Sequence, residues 1–186
     1  MNLKITGGKY KSITIFVVKD RRVRYTTSKV RLAIFSILGE KVKAANVLEL
    51  FCGSGVLSIE AISRGANKAV LVDVSKEAII TVKRNMEKIG FSDYKALKMD
   101  YRRALRYLRN KGKFDIIFGD PPYDLGYGEE ILVTIEKNSE LLKDNSRILL
   151  ELSTKEKLFI PDLFTIEVDK NFGETRIVLL KFGKGH

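Results

Sequence analysis

The sequence predicts an α/β fold built on a mixed seven-stranded sheet, and three observations predict it. From residue 46 onward, short apolar runs alternate with longer amphipathic ones, the rhythm of βα units around a parallel sheet. Val47-Leu-Glu-Leu-Phe-Cys-Gly-Ser-Gly-Val-Leu-Ser58 runs from a strand through a glycine turn into a helix. Two β-like segments with a short connection close the chain, which makes them an antiparallel pair.

The elements follow in order. Leu3 to Thr6 and Ser12 to Val17 flank Gly7-Gly8-Lys9-Tyr10, a hairpin signal, and Ser28 to Leu38 reads as a capped helix. Residues 1–45 are therefore expected to form a small basic N-terminal appendage of hairpin plus helix, and residues 46–186 the main domain. Strands are expected near 46–51, 69–73, 94–98, 114–119 and 146–152, with helices over 55–64, 76–89, 101–110 and 127–139 between them. In the second of these helices Ser75 is the N-cap, Ile79, Val82, Met86 and Ile89 share one face, and Gly90 ends the run. In the third, Arg102, Arg106 and Arg109 recur at i, i+4 and i+7 opposite Ala104, Leu105 and Leu108, so one face is core and one is basic. Segments 163–169 and 175–182, joined by Asn171-Phe172-Gly173-Glu174, complete the sheet as a hairpin.

Length and composition narrow the function classes. A chain of 186 residues suits one domain with a sizeable core. No apolar run approaches the ~20 residues of a membrane span, and Met1 to Ile5 has no signal-peptide core. The single cysteine, Cys52, and the single histidine, His186, give neither a disulfide framework nor a metal cluster. A cytoplasmic protein without a metal is expected. Cys52 itself, inside the glycine turn, reads as a small apolar filler.

The net charge is +11, and it is unevenly spread. Residues 1–46 carry eleven Lys and Arg against only Asp20 and Glu40. A second cluster runs through Lys98, Arg102, Arg103, Arg106, Arg109, Lys111 and Lys113, interrupted only by Asp100. Concentrated basic surface of this kind is the electrostatic footprint of a polyanion binder.

Two motifs carry chemistry. Asp120-Pro-Pro-Tyr123 follows the apolar run 114–119. Successive prolines have no N–H to give and hold the segment extended, so the Asp120 carboxylate and the Pro121 carbonyl can act as paired acceptors for a planar amino group. Tyr123 offers a flat ring for stacking on a nucleobase. In the other motif, Gly53 and Gly55 let backbone approach a ligand at the carboxyl edge of the sheet, beside Phe51. Asp73, 20 residues beyond Gly53, suits ribose hydroxyls, and Asp100 is placed to accept an adenine amino group. Two details favour S-adenosylmethionine over a nicotinamide dinucleotide. Ser58 stands where the dinucleotide fingerprint has its third glycine or alanine, and Glu49, an acid in a central strand, calls for a cation such as the methionine α-amino group.

Glu49-Leu-Phe-Cys-Gly-Ser-Gly55 followed by Asp120-Pro-Pro-Tyr123 resembles the amino-methyltransferases of the Rossmann-like class. Within that class, Ile5-Thr-Gly-Gly-Lys-Tyr-Lys11, Arg24-Tyr-Thr-Thr-Ser-Lys-Val-Arg31 and Gly173-Glu-Thr175 are similar to the RsmD family of small-subunit ribosomal RNA guanine-N2 methyltransferases. The resemblance covers nearly the whole chain. It implies S-adenosylmethionine as cofactor, 16S ribosomal RNA in a small-subunit assembly intermediate as partner, and the Thr26-Thr27 segment, with Thr27 as a cofactor-binding residue, near the methionine end. A monomer is expected. Lys9, Lys11, Arg21, Arg22, Arg24, Arg31, Arg102 and Arg106 are the expected RNA contacts. Asp-Pro-Pro-Tyr also serves DNA adenine-N6 methyltransferases, so that alternative stays open here, as does a non-catalytic RNA-binding module.

Overall fold

The computed structural model describes residues 3–19, 25–123 and 126–183. Its strands are β1 (Leu3–Lys4), β2 (Thr14–Ile15), β3 (Asn46–Leu50), β4 (Lys68–Asp73), β5 (Tyr94–Lys98), β6 (Phe114–Gly119), β7 (Leu142–Ser153), β8 (Phe164–Phe172) and β9 (Thr175–Phe182). The helices are α1 (Ser28–Leu38), α2 (Val56–Ser63), α3 (Lys76–Ile89), α4 (Tyr101–Leu108) and α5 (Tyr127–Glu136).

Seven strands form the main sheet in the order β5-β4-β3-β6-β7-β9-β8. The first five are parallel, and β9 runs antiparallel to both of its neighbours. Chain order reverses between β3 and β6, which opens a crevice at their carboxyl ends. Side chains of β3 alternate between two cores, as the period of a strand demands. Val47 packs with α1, α2 and α3 residues such as Phe35, Ile59 and Val82. Leu48 and Leu50 pack with Leu105 of α4 and Ile131 of α5 on the other face.

The N-terminal segment does not stand apart from this sheet. Leu3, Ile5, Ile15, Ile34 and Phe35 belong to the same buried cluster as Val47, Leu71 and Met86. Its hairpin is shorter than its apolar pattern suggested, because its backbone donors go to α2. Thr6 N–H donates to Glu60 Oε1 at 2.8 Å, Tyr10 N–H to Ser63 Oγ at 2.9 Å, and Lys9 N–H to the Ser63 carbonyl at 2.7 Å. A Cβ on Gly8 would lie 1.9 Å from that carbonyl oxygen, so only glycine fits there.

Arg31 corrects an expectation. Read as an RNA contact, it is instead fully buried, with Nε 3.0 Å from Glu60 Oε1 and Nη2 2.7 Å from the Lys4 carbonyl. A buried guanidinium whose donors are taken up by a carboxylate and backbone oxygens has none left for a phosphate. Arg64 also pairs with Glu60, so this one carboxylate joins α1, α2 and the N-terminal hairpin.

Several boundaries moved: β8 runs on to Phe172, so the closing connection shrinks to Gly173-Glu174, and α4 ends at Leu108. The helix expected to reach 139 ends at Glu136, and Ser139–Leu141 form a 3-10 turn. Strand β7 begins at Leu142, four residues earlier than the apolar run, pairing there with Phe114 around a bulge.

Candidate active site

A cavity of about 450 Å³ opens at the crevice between β3 and β6. Its floor is the glycine turn after β3. Phe51, Gly53 and Gly55 all have positive φ, at 58°, 50° and 76°, so the chain reverses tightly between β3 and α2. At Gly55 the restriction is double, since a Cβ would lie 2.8 Å from Leu71 Cδ2. At Gly53 a Cβ would meet nothing within 4 Å, which leaves room for a ligand against the backbone. Asp73, ending β4, accepts from Gly53 N–H and from Ser75 N–H, each at 2.9 Å, so one carboxylate fixes the turn and the start of α3.

Glu49 lines the cavity and is 2% exposed. Burial pushes its carboxyl up to about 7, against the opposing pull of hydrogen bonds from Ser58. Oε2 accepts from Ser58 N–H at 2.9 Å, and among the described residues no cation pairs with it. A desolvated acid facing a cavity is placed to hold a cation. Cys52, next in the wall, has its thiol raised by burial, so it is an inert filler.

The opposite wall is Asp120-Pro-Pro-Tyr123, which enters directly after β6. Gly119 lets the strand run close to β7, since a Cβ there would lie 2.8 Å from Leu150 Cδ2. Pro121 is buried, while Asp120 and Tyr123 are partly exposed to the cavity. The Tyr123 hydroxyl donates to Glu151 Oε1 at 3.2 Å and lies 3.1 Å from Thr175 Oγ1. Burial raises this phenol to about 12, so it stays protonated.

Tyr25 and Thr26 close the cavity from the N-terminal side. Here the expected residue is displaced by one position. Thr27 caps α1, its side chain accepting from Val30 N–H, while Thr26 turns inward and lines the wall. Asp100, expected to accept an adenine amino group, has protein partners of its own. It caps α4, accepting from Arg102 N–H at 2.9 Å and pairing with Arg102 Nη1 at 3.0 Å, and it is not part of the cavity wall.

Apart from buried Arg31, the expected RNA contacts divide three ways. Lys9, Lys11 and Arg106 are exposed. Arg102 is held by Asp100 and Glu130. Arg21, Arg22 and Arg24 lie outside the described residues. Sequence reasoning missed Glu151, although its signal matched that of Glu49: an acid inside the apolar run Ile148-Leu-Leu-Glu-Leu152. No cluster of His, Cys, Asp and Glu suited to a metal occurs among the described residues.

A parallel sheet with a reversed terminal hairpin, and a cavity at its switch point joining an acid, a glycine turn and Asp-Pro-Pro-Tyr, defines a Rossmann-like enzyme of the methyltransferase class. The chain belongs to the RsmD family: the family model described as conserved hypothetical protein 95 matches residues 3–181. It is 33% identical over 162 residues to ribosomal RNA small subunit methyltransferase D of Buchnera aphidicola, covering 87% of this chain and 84% of that protein. The structure of the Escherichia coli methyltransferase yhhF superposes with a TM-score of 0.84 at 25% identity over the whole of both chains. A methyltransferase crystallised with S-adenosylhomocysteine shares the fold at a TM-score of 0.66 and 18% identity, over 86% of this chain and 50% of that one.

Proposed function

We propose that this protein transfers a methyl group from S-adenosylmethionine to the exocyclic N2 of a guanine in 16S ribosomal RNA. The observation that carries the reading is the meeting, in one cavity, of the Glu49, Gly53 and Asp73 wall with Asp120-Pro-Pro-Tyr123. Family membership and the ribosomal RNA methyltransferase relatives support the RNA substrate.

The residues present fit the cofactor. Glu49, buried and without a cation, is the counter-charge for an α-amino group; Gly53 and Gly55 leave backbone open to it; Asp73 faces the cavity as a ribose acceptor. When bound, the cofactor supplies an electrophilic methyl group. The protein's task is to present a weak nucleophile to it. Guanine N2 is weak because its lone pair is delocalised into the ring. With Asp120 and the Pro121 carbonyl accepting its two N–H bonds, the nitrogen pyramidalises, and the developing positive charge is met by a fixed carboxylate. Tyr123 sets the plane of the base, and the rest of catalysis is positioning. No strong base is required, because the methylated nitrogen is acidic enough to lose its proton. A guanine in folded RNA must first be splayed from its stack, which costs a few kcal/mol and is cheapest in loops.

Exposed Lys9, Lys11 and Arg106 would hold flanking phosphates. The substrate in this reading is a cytoplasmic small-subunit assembly intermediate, and the enzyme acts as a monomer. The test is transfer of tritiated methyl groups to small-subunit particles and to duplex DNA, followed by nucleoside analysis. Label in N2-methylguanosine is expected; label only in N6-methyladenine overturns the reading.

A further inference from the structure

Glu151 stands just behind the cavity wall, and we propose that it is a positioning residue that fixes the Tyr123 ring for the target base. The inference rests on the methyl-transfer reading for what Tyr123 faces. Glu151 lies on β7 beside the strand that delivers Asp120, with Leu150 in register with Gly119. It is 5% exposed and does not line the cavity. Its neighbours Ile148, Leu149, Leu150 and Leu152 are all buried. A carboxylate at such a place is costly unless hydrogen-bonded.

Its two oxygens take hydroxyls from two walls of the same cavity. Oε1 accepts from Tyr123, and Oε2 accepts from Thr26 at 2.7 Å. Thr175 of β9 lies 3.1 Å from the same Tyr123 oxygen. The prolines hold the backbone at the near end of the tyrosine, and β7 and β9 hold its far end. The direction of the ring axis is therefore set by the sheet as well as by the loop that carries it. Through Thr26, the same carboxylate fixes the N-terminal wall relative to the target-side wall. An acid suits both contacts, since each oxygen only has to accept.

The test is a double-mutant cycle between Glu151→Gln and Tyr123→Phe, assayed on small-subunit particles, together with 13C spectra of tyrosine-labelled protein. The Tyr123 resonance is identified by its loss in Tyr123→Phe. Glu151→Gln should lower kcat by about tenfold to a hundredfold, the order expected for a misplaced reacting group. With Thr26→Val as the common background, so that the Oε2 contact is absent throughout, the Tyr123 resonance should move and the double variant should be no slower than Tyr123→Phe alone. Effects that multiply in the double variant, or a Tyr123 resonance that stays in place, overturn the proposal. Absence of transfer by the unmutated protein overturns the functional reading instead, and the tyrosine spectrum then decides the contact by itself. If Glu151→Gln does not fold, Thr175→Val removes the other tether on the same hydroxyl and enters the same cycle.

Discussion

Glu49 is a carboxyl buried in the cavity wall, and the direction in which burial moves it makes a prediction. Its carboxyl is raised from 4.5 to about 7 by burial, so without a ligand its charge is lost as pH falls through about 7. The sign for folding is that native Glu49 holds its proton where the unfolded chain does not, so stability declines as pH rises from 4.5 to about 7. A bound ammonium reverses the preference. S-adenosylhomocysteine should therefore bind more weakly below pH 7 and displace a proton as it binds. Calorimetry in buffers of different ionisation enthalpy measures this, and Glu49→Gln should abolish the proton release. Asp120 belongs to the other half of the site. Asp120→Ala should lower kcat by roughly a hundredfold to a thousandfold, the loss typical of removing one fixed electrostatic partner. S-adenosylhomocysteine affinity should survive, which separates the two walls in one pair of assays.

Among the elements, the chemistry-bearing turns were legible because their signals are local. The capped helix α3 begins after Ser75 and ends at Gly90 as its pattern required. The turn from β3 to α2 needs glycine where the sequence has it, and Gly55→Ala should unfold the protein at lower temperature by forcing a Cβ against Leu71. Calorimetric melting checks this. What the pattern could not give is the partner of a charge. The arginines of α4 look alike in sequence, yet Arg102 is held by Asp100 and Glu130, Arg109 pairs with Glu140, and Arg106 is exposed. Arg31 shows the same limit most plainly. Arg31→Ala leaves Glu60 with Arg64 and Thr6 as partners but unpairs the Lys4 and Thr26 carbonyls, and should cost about 2–3 kcal/mol of stability, whereas Arg106→Ala should leave the melting temperature unchanged and weaken RNA binding. Paired melts and particle-binding titrations separate the two arginines.

At the scale of the whole molecule, the N-terminal segment is joined to the sheet by a shared core and by one buried ionic centre at Glu60. The cavity depends on this joining, since Tyr25 and Thr26 form its third wall. The sequence by itself determined the α/β order, the glycine turn, the Asp-Pro-Pro-Tyr segment and the closing hairpin, because periodicity, turn chemistry and proline geometry act over a few residues. Only the tertiary structure decided that Arg31 lies inside, that Thr26 and not Thr27 faces the cavity, that Asp100 is a helix cap, and that Glu151 stands behind Tyr123. Each of these rests on whether a polar group meets a partner from far along the chain. Thr26 and Glu151, 125 residues apart, become neighbours only when the sheet has formed. Burial of a charge is favourable only with that partner in place, so no local pattern records it.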